Sequence, residues 1–147
     1  MFYIFIISLI FIDLFTKLIA KNNLLVQKNL IGDFFFLKYS ENTGIAFSFP
    51  ITGIGLKILT IVLIGVIFWY YIKEEKYKNI KIIDLSFIFI LSGALGNGIE
   101  RVFNSKVIDF IGIKYFAIFN LADIFIFIGV FLYIFYLFFL NKNEQKG

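Results

Sequence analysis

Two aspartates of this chain lie in strongly apolar stretches with no basic residue beside them, Asp109 in VIDFIG and Asp123 in FNLAD. The chain has no His and no Cys, so acid–base chemistry must fall to carboxylates, Lys or Tyr. Two carboxyls held together in a low dielectric tend to share one proton, which is the state that peptide hydrolysis requires. The pair therefore predicts a hydrolytic site, with the alternative that each Asp caps a helix or a turn.

The composition indicates that lipid surrounds most of the chain. Its 147 residues are 61% hydrophobic and 16% charged, with a mean hydropathy of +0.92, which is too apolar for a soluble domain. We expect one membrane-embedded domain, residues 1–147. The net charge of +4 comes from lysines at the ends of apolar runs, which favours membrane flanks over a nucleic-acid surface. Without Cys or His the sequence predicts no zinc or haem site, and the proposed chemistry needs no metal or cofactor.

Four apolar runs predict transmembrane helices at about 2–20, 54–72, 82–100 and 120–140. The first lacks a basic n-region and a cleavage site, so we expect a retained helix. The basic segments 73–81 and 141–147 are predicted to be cytoplasmic, which makes 21–53 and 101–119 extracytoplasmic. In the first of these loops FFFLKYS predicts a strand, 41–44 a turn, and the alternation over 45–49 a second extended segment. The expected fold class is an all-α membrane protein with a small extracytoplasmic β-sheet.

Alternation of four spans brings residues that are scattered in sequence to one membrane face. Because the ends of the spans alternate between the two sides, the chain's isolated polar residues collect at the extracytoplasmic end. These residues are Asp13, Lys17, Asn42, Asn97, Arg101, Asp109, Asn120 and Asp123.

Charged residues inside spans are costly and therefore mark pairs or sites. Asp13 and Lys17 have the i,i+4 spacing of a helical ion pair, which stabilises its own span or docks a neighbouring one. Arg101 is expected to pair with a nearby carboxylate, and Asn97 lies one turn earlier on the same helix face. In the third span, the small residues from Ser92 to Gly98 predict that this half is the buried end.

Five motifs occur in order along nearly the whole chain, and together they resemble the type II (lipoprotein) signal peptidases of bacteria. The motifs are DLFTK at 13–17, YSENTGIAFS at 39–48, GALGNGIER at 93–101, VIDF at 107–110 and FNLAD at 119–123. The chain departs from the family pattern at Ser92 for Gly, Glu100 for Asp and Ala117 for Pro, and its segment between the last two motifs is short.

The resemblance implies an aspartyl endopeptidase of the bacterial cytoplasmic (inner) membrane with Asp109 and Asp123 as its catalytic dyad. Such an enzyme cuts prolipoproteins just before the diacylglyceryl-modified cysteine, at the extracytoplasmic face. Residues matching Asn42, Gly44, Asn97, Arg101 and Asn120 are implied to shape the site, and Asp13 and Lys17 to support it. The expected partners are prolipoprotein substrates and membrane lipid, with no nucleic acid, and the expected state is a monomer.

Other classes of membrane protein remain as alternatives. A transporter or channel would distribute ionisable groups through the bilayer depth, whereas the interiors of spans two and four are uninterrupted and apolar. A GxGD-type protease would need a Gly-x-Gly-Asp motif, which the chain lacks, and a rhomboid-like Ser/His enzyme is excluded by the absence of His. A non-catalytic assembly or chaperone subunit would tolerate loss of either aspartate.

Overall fold

A computed structural model describes residues 1–44 and 53–140 and contains four long apolar helices. They are α1 (Phe2–Asn23), α2 (Gly53–Tyr70), α3 (Lys81–Asn104) and α4 (Leu121–Phe135). A π-helical turn, Tyr71–Glu75, and a short 3-10 turn, Lys76–Lys78, extend α2, while a second π-helical turn, Tyr136–Leu140, extends α4. All four are long and apolar enough to cross a membrane. Together with the sheet described below, they confirm the predicted fold class.

Helix α3 lies at the centre of the bundle. In its most apolar window 61% of residues are buried, against 17% or less in the other three helices, whose outer faces remain for lipid. Small residues let α4 approach α3 closely: a Cβ on Gly93 would overlap the carbonyl oxygen of Ala122, and one on Gly96 would lie 3.5 Å from the Ala122 Cβ. Close backbone approach of this kind is what small residues provide in membranes.

The expectation that only the small-residue half of α3 is buried is wrong. Its first half is buried as well, because Ile83, Phe87 and Ile88 pack with Tyr71 and Tyr136 in an apolar and aromatic cluster. Large side chains fill the space around α3 at that end, although α4 approaches α3 closely there as well, since a Cβ on Gly129 would lie 2.5 Å from the Ser86 carbonyl oxygen.

The end of the bundle away from the sheet has its own polar network. The Tyr71 hydroxyl donates to Asp84 Oδ1 (2.7 Å). Glu75, only 1% exposed, accepts from the hydroxyls of Tyr70 (3.0 Å) and Tyr133 (2.8 Å) and pairs with Lys78 (2.8 Å). These bonds join the end of α2 to α3 and α4 and compensate for burying the carboxylate.

A four-stranded antiparallel sheet lies at the opposite end of the bundle. Its strands are β1 (Lys28–Ile31), β2 (Phe35–Asn42), β3 (Val107–Ile113) and β4 (Ala117–Phe119), in the order β1-β2-β3-β4. The strand predicted from FFFLKYS is present, but Glu41 and Asn42 continue it rather than forming a turn. The predicted extended segment at 45–49 lies outside the described residues.

Apolar contacts fasten the sheet to the end of α1. Phe110 of β3 is buried with Ala20 and Leu24, and Leu37 and Tyr39 of β2 pack against the same cluster. The backbone N–H of Tyr39 also donates to the Leu24 carbonyl (2.8 Å). The sheet is therefore held by α1, although its third and fourth strands connect α3 to α4.

Candidate active site

Strand β3 places Asp109 at the junction of the sheet and the helices. The side chain is 3% exposed, and both of its oxygens accept hydrogen bonds. Asn42 Nδ2 donates to Oδ2 (3.0 Å), and Asn120 Nδ2 donates to Oδ1 (2.6 Å). The antiparallel register, which aligns Asn42 with Val107 and Ser40 with Asp109, brings the end of β2 beside this carboxyl.

The first turn of α4 places Asp123. Asn120 is the N-cap: its side chain accepts from the Asp123 backbone N–H (3.0 Å), while its own N–H donates to Asp123 Oδ2 (3.1 Å). This reciprocal capping box fixes the carboxyl at the positive end of the helix dipole. Asn97 of α3 donates to the other oxygen, Oδ1 (2.8 Å).

Asn120 connects the two aspartates. It is fully buried and contacts Asp109 through its side-chain amide and Asp123 through its backbone N–H. The same amide nitrogen also donates to Asn97 Oδ1 (3.1 Å). The structure thus brings Asp109 and Asp123 around a single asparagine. Helix capping accounts for Asp123, but Asp109 lies on a strand and caps no helix.

A buried lysine holds the network from behind. The Lys17 ammonium, 1% exposed, lies 2.8 Å from Asp13 Oδ2, 2.9 Å from Glu100 Oε2 and 2.8 Å from Asn97 Oδ1. The ammonium donates a hydrogen bond to Asn97 and forms ion pairs with the carboxylates of Asp13 and Glu100. Because Asn97 accepts from Lys17 at its oxygen, its NH₂ group is turned toward Asp123.

Asp13 and Glu100 link this lysine to the elements that carry the aspartates. Asp13 Oδ1 accepts from the backbone N–H of Ala122 (2.9 Å), so helix α1 satisfies a free donor in the first turn of α4. Glu100 Oε2 accepts from the backbone N–H of Ile108 (3.2 Å), the residue before Asp109. The Asp13–Lys17 pair predicted from i,i+4 spacing is present, and it docks neighbouring elements.

Burial changes the acidity of Asp109. Desolvation raises its pKa to about 6, a rise that the hydrogen bond from Asn42 opposes and the nearby charge of Asp123 reinforces. A carboxyl with a pKa near 6 is protonated in about one molecule in ten at pH 7, whereas an ordinary Asp is protonated in about one in a thousand.

Two predicted site residues take other positions. Gly44 contributes its backbone N–H, which donates to Asn42 Oδ1 (3.1 Å) and orients that side chain. Arg101 does not join the network: within residues 1–44 and 53–140 it forms no ion pair, and its buried Nε has no hydrogen-bond partner. The prediction that Arg101 pairs with a carboxylate is therefore wrong, because the cation that Glu100 contacts is Lys17.

Sequence reasoning missed the roles of Glu100 and of Ala122 as partners of the buried charges. A signal for Glu100 existed, since i,i+3 spacing places it on the same face of α3 as Asn97. The Asp13 contact with Ala122 joins residues 109 positions apart, and no local pattern predicts it. In the described part of the chain no three acidic residues cluster in a way that could hold a metal ion.

Comparison with known proteins identifies the family. The family model of signal peptidase (SPase) II matches residues 5–139. The chain belongs to the signal peptidase II family. Lipoprotein signal peptidases of Fusobacterium nucleatum and Listeria monocytogenes are 38% and 33% identical to it, with 99% of this chain and 91% and 97% of the relatives covered. A signal peptidase II is a peptidase, which argues against the transporter and the non-catalytic subunit.

Solved structures agree with the fold. A bacterial membrane enzyme determined by the in meso method at 2.3 Å resolution has a TM-score of 0.82 at 27% identity and covers 99% of this chain and 91% of its own. A second, at 1.9 Å resolution, has a TM-score of 0.80 at 27% identity, over 94% and 92% of the two chains. The chain is thus a multi-pass membrane protein of the signal peptidase II family.

Proposed function

We propose that this chain is an aspartyl endopeptidase that removes the signal peptide from lipid-modified bacterial prolipoproteins, cutting just before the diacylglyceryl-cysteine. The observation that carries the proposal is the arrangement of Asp109 and Asp123, two carboxyls of different burial held by one buried asparagine at the end of a membrane bundle. Family membership supports the class of substrate.

The surroundings of the two carboxyls support different roles for them. Asp109 is the more deeply buried and has a pKa raised to about 6, which suits a protonated general acid. Asp123, in the first turn of α4, is only half-buried, so it is the more accessible of the two to water, which suits a general base. Pairs of titratable groups in contrasting environments commonly divide the roles of acid and base in this way.

The reaction then proceeds in two balanced steps. Asp123 takes a proton from water as the water oxygen attacks the scissile carbonyl carbon, and Asp109 donates its proton to the carbonyl oxygen. In the resulting tetrahedral diol, one hydroxyl returns its proton to Asp109 while the C–N bond breaks. The proton held by Asp123 passes to the leaving nitrogen, which becomes the new amino terminus at the lipid-modified cysteine. Both carboxyls regain their starting states.

The site's place in the bundle suits a lipid-anchored substrate. A diacylglyceryl group keeps the cysteine next to the bilayer, so a peptidase that cuts beside it must hold its catalytic groups near the membrane surface. Asp109 and Asp123 lie where the helices meet the sheet. The distribution of lysines supports an extracytoplasmic site in the cytoplasmic (inner) membrane, and we propose that the enzyme works as a monomer surrounded by lipid.

The substrate assignment is tested with purified protein in liposomes and a prolipoprotein with or without the diacylglyceryl group. Masses of the products should place the cut just before the modified cysteine, and the unmodified substrate should be cleaved poorly. Equal cleavage of both substrates, or a cut elsewhere, would contradict the assignment.

The catalytic assignment is tested by Asp109→Asn and Asp123→Asn. Each variant should insert normally yet leave the lipid-modified substrate uncleaved. Asp84 lies at the far end of the bundle, so the control variant Asp84→Asn should still cleave the lipid-modified substrate. In ¹⁸O-water, the first turnover should place one ¹⁸O in the carboxylate of the released signal peptide. Release of an unlabelled carboxylate in that turnover would indicate covalent attack by an aspartate instead.

Orientation and oligomeric state have their own tests. Single cysteines introduced at 77 and 106 in this cysteine-free chain replace exposed or partly exposed side chains. A membrane-impermeant reagent should label them from opposite faces, with each site scored before and after permeabilisation. Labelling of both from one side would contradict the proposed orientation. Activity in nanodiscs loaded with a single copy should equal that in liposomes if the enzyme is a monomer.

A further inference from the structure

Two turns at the outer end of the sheet expose large apolar side chains. They connect β1 to β2 at 31–34 and β3 to β4 at 113–116, and we call them the hairpin tips. Phe34 is 60% exposed, Tyr115 94% and Phe116 71%. The Lys114 backbone N–H donates to the Phe34 carbonyl (2.8 Å), so the two tips form one unit.

The path of the strands places the hairpin tips outside the helix bundle. At its inner end β2 reaches Asn42 beside Asp109, and further along it crosses the end of α1, where Leu37 packs against the Ala20 and Leu24 cluster. Phe34 lies three residues beyond Leu37, or roughly 10 Å at the usual rise of a strand. Only 17% of the apolar window of α1 is buried, so the tips extend past a helix that faces lipid.

The chemistry of the tips matches a membrane interface. Aromatic rings and lysines with long apolar stems are the side chains that concentrate at the boundary between headgroups and acyl chains. Lys114 lies 5.3 Å from the Tyr115 ring centroid and 3.8 Å from Asp33, and Lys28 lies at the start of β1. Basic groups among the aromatic ones complement the phosphates of lipid headgroups.

Tyr115 gives an independent indication. Its φ is +65°, a left-handed conformation that is unusual for a bulky side chain and is normally given to glycine. The ring that this conformation presents is almost wholly exposed. The turn itself accounts for the conformation, since the Phe116 N–H donates to the Ile113 carbonyl (3.0 Å) and such a turn can take a positive φ at its third residue. What the turn does not require is a large aromatic side chain, in place of glycine, at an exposed tip.

We propose that the hairpin tips insert into the headgroup region of the bilayer beside α1 and anchor the outer end of the sheet. The occupant of this surface is the lipid leaflet on the sheet's side of the membrane. Because the inner end of the same strands carries Asn42 and Asp109, the anchor also sets how the sheet lies over the membrane. The proposal does not depend on the peptidase mechanism.

Nitroxide labels test this directly, since the chain has no cysteine and single labels can be placed in the full-length protein. Labels at 34 and 116 are compared in liposomes with one at 15, on the exposed face of α1, and one at 104, at the exposed end of α3. The measured quantity is the rate of collisions with oxygen divided by the rate of collisions with a water-soluble nickel complex. This ratio should be higher at 34 and 116 than at 104 and should approach the ratio at 15.

Two labelling results would overturn the proposal. A ratio at 34 and 116 equal to that at 104 would place the tips in water. Spin–spin broadening at 34 that disappears on dilution with unlabelled protein would show that a second copy of the chain covers the tips instead. As a functional arm, Phe34→Ser with Phe116→Ser should lower cleavage severalfold in liposomes while leaving it unchanged in detergent. If the double variant cleaved as fast as the native protein in liposomes as well as in detergent, an anchoring role would be contradicted.

Discussion

Lys17→Met is expected to destabilise the protein severely. The Lys17 ammonium is the shared partner of Asp13 and Glu100, at 2.8 and 2.9 Å, so its removal leaves two buried carboxylates without a cation. Breaking a buried ion pair from one side costs about 3–5 kcal/mol, because the partner charge stays buried and uncompensated. We expect a loss of free energy of unfolding in this range, accompanied by loss of cleavage.

A sharper test introduces Glu100→Gln both into the native protein and into the Lys17→Met variant. In the native protein this change leaves a one-to-one pair of Asp13 and Lys17 and should cost about 1–3 kcal/mol, the usual range for losing a bond to a charged group. In the Lys17→Met background the same change removes one of two unpaired negative charges and should stabilise the protein. The effect of Glu100→Gln therefore changes sign between the two backgrounds.

The assay is a double-mutant cycle measured as free energy of unfolding in detergent or bicelles. Lys106→Met is the matched control. Lys106 pairs with Glu41, and both side chains are 39% exposed, so its removal should leave the free energy of unfolding nearly unchanged. If Glu100→Gln destabilised both backgrounds equally, the buried charges would not be coupled through Lys17 and the reasoning would fail.

Two further predictions concern backbone approach and pH. Gly96→Ala would place a Cβ 2.6 Å from Asp13 Oδ2 and should cost about 1–3 kcal/mol. Gly65→Ala, where nothing lies within 4 Å of the added Cβ, should leave stability unchanged or raise it by about 0.5–1 kcal/mol; equal unfolding midpoints for the two variants would contradict the packing argument. Because the proposed mechanism needs protonated Asp109, with a pKa of about 6, kcat/KM should fall as pH rises through that value. Asn42→Ala removes a hydrogen bond that lowers this pKa and should move the alkaline limb to higher pH, so an unchanged limb would argue against Asp109 as the acid.

Much of the fold follows from the length and spacing of the apolar runs and from the alternation of their ends between the two sides of the membrane. Four apolar runs predict four helices, and alternation between the two sides predicts that their polar ends meet. The sequence also indicates the Asp13–Lys17 pair, since i,i+4 spacing is a local property of one helix. Such features depend on residues close in sequence or on the hydrophobic effect, and both can be read without coordinates.

The connections between elements are less accessible from sequence. The role of Asn97 depends on a rotamer that presents oxygen to Lys17 and nitrogen to Asp123. Arg101 and Glu100 are neighbours in sequence, yet the buried cation that pairs with Glu100 comes from another helix. Which of two adjacent charges turns inward is decided by packing between helices and by strand register, neither of which a local pattern specifies.

The central claim is that Asp109 and Asp123 act together as one catalytic unit. Its most direct measurement is single-turnover cleavage of a lipid-modified prolipoprotein in liposomes by Asp109→Asn, Asp123→Asn and the double variant, with Asp84→Asn as control. Each single variant should lose roughly 10²–10⁴-fold in rate, and the double variant should be no slower than the singles, because groups that act as a unit are not additive. Near-native cleavage by either single variant, or losses that multiply in the double variant, would contradict the account.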